Sequence, residues 1–119
     1  MDESYKVLIV DDEESIRRSL ERLLVPFGHT VGHAASVAEA LAMLDGHDVA
    51  VVDMLLPDGL GTDVVAANRA RRRPIRIALM TGRTSLEFAE DADAVFYKPF
   101  DMGAMVKWIG QRPGGGNAE

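Results

Sequence analysis

Short apolar runs alternate along this chain with stretches in which apolar residues return every third or fourth position. Val7-Leu8-Ile9-Val10, Val49-Ala50-Val51-Val52, Ile77-Ala78-Leu79-Met80 and Val95-Phe96-Tyr97 have strand length, and their unbroken apolarity predicts cover on both faces. Between the first two, Ile16, Leu20, Leu23 and Leu24 recur at helical spacing until Pro26-Phe27-Gly28 stops them. A short strand is expected at 30–33. Ser36 and Glu39 then form a capping box ahead of Val37, Ala40, Leu41 and Leu44, and Gly46 ends that helix. Leu56-Pro57-Asp58-Gly59 reads as a turn-rich loop leading into a helix over 62–72, which Pro74 closes. The last helix starts with Asp101 as N-cap and is expected to bury Met105, Trp108 and Ile109.

Strands alternating with helices of roughly ten residues predict right-handed crossovers and an α/β fold, a doubly wound parallel sheet of five strands. Residues 82–97 are the irregular part. They must hold a loop, the whole fifth strand and any fourth helix, and after a second capping box, Thr84 with Glu87, only about two helical turns fit. The fourth helix is therefore expected to be short or absent. One domain over 1–112 and a disordered tail over 113–119, rich in glycine, complete the expected organisation.

Each of the four longer runs ends in a polar marker: Asp11-Asp12, Asp53, Thr81 and Lys98. A parallel sheet brings those ends to one edge, where open α/β sheets bind ligands. Three carboxylates in one small cleft repel each other unless a cation or protons intervene. Magnesium suits such a set, because it needs only one or two direct carboxylates and retains water; Asp12 and Asp53 fit as ligands, with Asp11 acting through water. A carboxylate such as Asp53 is also a nucleophile toward a phosphoryl donor held in line. Thr81 and Lys98 would then bind the phosphoryl oxygens, where positioning and electrostatics carry most of the catalysis.

Composition narrows the field. A chain of 119 residues, 47% hydrophobic and 27% charged, suits a single domain. Its net charge of −6 gives no general attraction to nucleic acid or to an anionic membrane. The absence of cysteine excludes disulfides and thiol chemistry and fits a reducing compartment. Neither a signal peptide nor a membrane span is visible, so a soluble, cytoplasmic chain is expected.

Taken together, Asp11-Asp12, Val51-Val52-Asp53-Met54, Leu56-Pro57-Asp58-Gly59, Thr81-Gly82 and Lys98-Pro99-Phe100 resemble the receiver domain of two-component response regulators. The match in order and spacing runs from about residue 5 to residue 109. It implies a flavodoxin-like receiver fold in which Asp53 accepts phosphate from a phosphohistidine. Asp12, Asp53 and the backbone carbonyl of Leu55 would ligate magnesium, Thr81 would be the switch hydroxyl, and Lys98 would contact the phosphoryl group. The Lys98-Pro99 peptide would be cis, which proline permits at modest cost. Such a protein catalyses only its own phosphorylation and dephosphorylation. Its implied partners are a histidine kinase or histidine phosphotransfer protein and an unnamed downstream protein, without direct nucleic-acid or membrane contact and with a homodimer open. Two features depart from the family pattern. Val95 stands where an aromatic switch residue is usual, and the interval from Thr81 to Lys98 is shorter than usual by roughly one helical turn. A subgroup of receivers with a Thr-Gly pair and a reduced fourth helix resembles it more closely, and there activation would order the loop over 82–93 instead of turning a ring.

Other residues read more plainly. His29, His33 and His47 lack zinc spacing and are expected at the surface. Arg69, Arg71, Arg72 and Arg73 suit a solvated helix C-terminus. Phe88, Met102, Met105 and Trp108 belong to the core or to a partner face. Arg83, two residues past Thr81, lies near the expected phosphate, where it would tune phosphate lifetime or contact a partner. Two other functions share some of these residues: a magnesium phosphohydrolase using an aspartyl phosphate, and an adaptor that works without phosphate. The first needs a further acid or base and a substrate-selecting cap, which the sequence does not supply clearly; the second is at odds with an intact marker set.

Overall fold

The computed structural model describes residues 4–82, 91–99 and 101–111. Its elements run β1 (Lys6–Val10), α1 (Glu14–Leu24), β2 (Thr30–Ala34), α2 (Val37–Met43), β3 (Val49–Asp53), β4 (Leu55–Leu56), β5 (Gly59–Leu60), α3 (Gly61–Arg69), β6 (Arg76–Thr81), β7 (Ala94–Tyr97) and α4 (Met102–Ile109). Five strands form one parallel sheet in the order β2-β1-β3-β6-β7. From β1 the chain crosses outward to β2 and then returns to the other side as β3. The order therefore reverses between β1 and β3, and a crevice opens at their carboxyl ends.

The unbroken apolar runs do what period-two geometry requires, sending alternate side chains to opposite faces. Leu8, Val10, Ala50, Val52, Ile77 and Leu79 join Ala40 and Leu44 of the α2 segment and Val64 and Val65 of α3. Val7, Ile9, Val49, Val51 and Met80 meet Leu20 and Leu24 of α1 and Met105 and Ile109 of α4. All of these are buried, so two cores sandwich the sheet.

The helix starts follow their sequence signals. The Ser36 hydroxyl accepts from the Glu39 N–H, and the Glu39 carboxylate accepts from the Ala35 N–H. Asp101 accepts from the N–H groups of Gly103 and Ala104. After the single 3-10 turn Val25–Phe27 that follows α1, Gly28 takes φ of +92°, a left-handed conformation natural to glycine.

Four expectations are corrected. The third helix stops at Arg69 instead of continuing to 72, because the buried Asn68 side chain turns the chain back. Its amide donates to the Ile75 carbonyl and its oxygen accepts from the Ile75 N–H. The loop after Asp53 is a miniature antiparallel hairpin, β4 pairing with β5 around Pro57 and Asp58. Asp58 clips it to α2 by accepting from the N–H groups of Val37 and Ala38, at 2.7 and 3.0 Å. The histidines are not surface residues: His29 is buried, and His33 and His47 are half-buried with hydrogen-bond partners. Trp108 is half-buried, its ring edge-on to Phe96 and under the Arg76 guanidinium. The expected tail over 113–119, the fourth helix with its Thr84 and Glu87 cap, Arg83, Phe88 and Phe100 lie outside the described residues.

Candidate functional site

Asp11 directly follows β1, Asp53 ends β3, and strand pairing sets Val10 beside Val52. The two acid-bearing turns are thereby neighbours at the point where the strand order reverses. One carboxylate oxygen each from Asp11, Asp12 and Asp53 lie within 4.8 Å of one another. Asp11 and Asp53 are buried and Asp12 is exposed, so the cluster opens to solvent on one side.

Thr81 ends β6 and is 2% exposed, and its carbonyl accepts from the Lys98 N–H at 2.7 Å. That bond continues the β6–β7 pairing past Tyr97 and delivers the lysine to the crevice. Lys98 Nζ stands 3.1 Å from Asp53 Oδ1. The Lys98-Pro99 peptide is cis, as the resemblance implies. Leu55 begins β4 two residues after Asp53, with its side chain exposed. Register places Val95 opposite Leu79 and Tyr97 opposite Thr81. The half-buried Val95 packs against the core under α2 and α3, whereas Tyr97 is 45% exposed.

Burial acts on these acids more strongly than their neighbours' charge does. Burial raises the Asp11 carboxyl to about 6, with the Asp53 charge adding to the effect and the Glu13 amide opposing it. Burial also raises Asp53, although the Lys98 hydrogen bond and charge pull the other way. Lys98 is itself held above its ordinary value: burial lowers it, but the hydrogen bond and charge of Asp53 outweigh that. Both partners are consistent with a charged pair in which the carboxylate is the more desolvated member.

A buried acid needs partners, and Asp11 shows what is missing. Its Oδ1 accepts from the Glu13 N–H at 2.9 Å, while its Oδ2 is buried without a hydrogen-bond partner. Three hard oxygen donors with an orphaned oxygen among them fit a divalent cation of the magnesium type.

Two contributors were not read from sequence. Gly61, the first residue of α3, lies so near β3 that an added Cβ would sit 2.5 Å from the Asp53 carbonyl oxygen and 2.9 Å from Leu79. Its N–H donates to the Met54 carbonyl. A glycine opening a helix is the signal that could have found it. Arg17, six residues after Asp11, donates from Nη1 to the Asp11 carbonyl at 2.6 Å. Nothing local marks that contact, which depends on how α1 lies on the sheet.

Comparison with known proteins agrees with this geometry. The family model described as response regulator receiver domain matches residues 7–109. The acid tolerance regulatory protein ActR of Rhizobium meliloti is 37% identical over 115 residues, 91% of this chain and 59% of ActR. The DNA-binding transcriptional activator DevR/DosR of Mycobacterium tuberculosis is 43% identical over 73% of this chain and 42% of its own. The chain thus spans about half the length of these curated relatives. Among solved structures, the chemotaxis response regulator CheY4 of Vibrio cholerae superposes with a TM-score of 0.79 at 31% identity, covering 90% of this chain and 97% of CheY4. The response regulator TrrA of Thermotoga maritima, solved with magnesium and beryllium fluoride, gives 0.79 at 26% identity over 87% of this chain and 95% of its own. With the sheet order, the acid trio and the cis Lys98-Pro99 peptide in place, the chain belongs to the response regulator receiver domain family of two-component signalling.

Proposed function

We propose that Asp53 is the phosphoacceptor, that Asp11, Asp12, Asp53 and the Leu55 carbonyl hold Mg2+, and that phosphorylation changes the affinity of this chain for a downstream protein. The observation that carries this reading is the acid trio within 4.8 Å, with Lys98 Nζ 3.1 Å from Asp53. The solved TrrA complex, which holds magnesium with a fluoride mimic of a phosphoryl group, supports extending both to this pocket.

In the proposed step an Asp53 carboxylate oxygen attacks the phosphorus of a phosphohistidine on a histidine kinase or phosphotransfer protein. An O–P bond forms, the P–N bond breaks, and the imidazole leaves with the electron pair, taking up a proton. Bound magnesium would neutralise carboxylate and phosphoryl charge. The remaining tasks fall to the chain itself. Lys98 screens Asp53 before transfer and would move onto a phosphoryl oxygen afterwards. Thr81, at the end of the adjoining strand, would donate its hydroxyl to another. In this reading the chain catalyses only its own phosphorylation and dephosphorylation.

Incubation with Mg2+ and a small acyl phosphate, followed by intact mass measurement, tests the assignment. Wild type is expected to gain one labile phosphate, and Asp53→Asn none; an equal adduct on both would move the acceptor elsewhere.

A further inference from the structure

Asp11 is the most enclosed of the three acids, at 1% exposure, and its peptide is gripped from both sides. Its N–H donates to the Ala34 carbonyl at 3.0 Å, and its carbonyl accepts from Arg17 Nη1 at 2.6 Å. With Oδ1 accepting from the Glu13 amide, Oδ2 is the carboxylate oxygen left buried without a hydrogen-bond partner. The orientation of that oxygen is therefore set by the contacts on the peptide behind it.

Arg17 is held in turn. Its Nε donates to His33 Nδ1 at 3.1 Å, and His33 Nε2 lies 3.0 Å from Glu21 Oε1. Arg17 and Glu21 stand four residues apart on one face of α1, and His33 lies beneath them on β2. Because Nδ1 accepts, the ring proton sits on Nε2 and faces the carboxylate. The guanidinium is thus fixed by a second donor while the first holds the Asp11 carbonyl, two contacts that a planar fork makes together and of which a lysine ammonium on its single flexible stem keeps only one.

We propose that Arg17, braced by His33 and Glu21, is a positioning residue that aims Asp11 Oδ2 into the acid pocket and so sets its affinity for Mg2+. The inference rests on the receiver reading of that pocket. It follows the general behaviour of groups behind a metal ligand, whose loss weakens metal binding although they never touch the ion.

Magnesium chloride alone, titrated calorimetrically into the full chain without a phosphodonor, gives the direct test. Arg17→Met is expected to raise the Mg2+ dissociation constant about tenfold or more. Arg17→Lys should recover part of the loss, and His33→Phe should shift it the same way by less. In acyl-phosphate assays the change should fall on the half-saturating Mg2+ concentration more than on the maximal rate. A thermal midpoint lowered without any change in Mg2+ affinity would make Arg17 structural only and overturn the proposal. If Arg17→Met does not fold, His33→Phe decides, since wild-type affinity in that variant overturns it equally. Wild type without an Asp53-dependent adduct would instead remove the receiver reading itself, an outcome separable from unchanged affinity in the variants.

Discussion

The chemistry at residue scale is a balance of desolvation against paired charge. Asp53 is kept close to Lys98 at 3.1 Å, yet burial still holds its carboxyl above the ordinary value. Lys98 alone therefore does not offset the desolvation of this carboxylate, and the pocket suits a further cation. Gly61 shows how closely the backbone is packed behind this site. Gly61→Ala would press a methyl group against the Asp53 carbonyl oxygen, and such overpacking is expected to destabilise by roughly 1–3 kcal/mol in urea unfolding. Wild-type stability in that variant would mean the turn has room to move. The acids, Thr81 and Lys98 were legible because each follows an apolar run whose direction in a parallel sheet is fixed. Arg17 and the closeness of Gly61 were not, since they depend on helix placement that no local pattern records.

At the scale of elements, the strands carried strong periodic signals and the segments between them did not. The end of α3 at Arg69 depends on Asn68 reaching Ile75 across the turn, and the β4–β5 hairpin depends on Asp58 finding the start of α2. Both are contacts between residues far enough apart that propensity alone cannot see them. The seam at the start of β1 has a similar origin and a measurable consequence. The His29 ring stacks on Tyr5 at 5.7 Å, and its Nδ1 accepts the Tyr5 N–H at 3.0 Å. Burial holds this imidazole below its ordinary value of 6.5. The unfolded chain then binds the proton more readily than the folded one. Stability contributed by neutral His29 is complete above pH 6.5 and is lost as pH falls through the lowered folded value. Between pH 7.5 and 5.5 the thermal midpoint of wild type should drop relative to that of His29→Asn, which keeps an acceptor without a titrating ring; the raised Asp11 carboxyl acts in the opposite sense in both and cancels from the comparison. Equal slopes would assign the effect to other groups.

Across the whole molecule, the alternation of strand and helix was enough to give the sheet, its five strands and the edge where the acids meet. What it did not give is the register that puts Tyr97, instead of Val95, beside Thr81. A cation held by Asp11, Asp12 and Asp53 would tie β1 to β3, so its binding would be linked to global folding. Mg2+ at a hundred times its dissociation constant should stabilise the chain by about 2.7 kcal/mol, read as a higher thermal midpoint. Asp12 is exposed, so Asp12→Asn should fold normally and lose most of that rise; an undiminished rise would place the cation elsewhere. Trp108 is the only tryptophan in the sequence. Its indole lies 4.6 Å from the Arg76 guanidinium and edge-on to Phe96 of β7, the strand that leads directly to Lys98. Indole emission responds to the charge and packing around the ring, so the chain carries an intrinsic fluorophore on the seam between β7 and α4. Its emission offers a label-free optical record, in real time, of any movement that the lysine passes back along its strand.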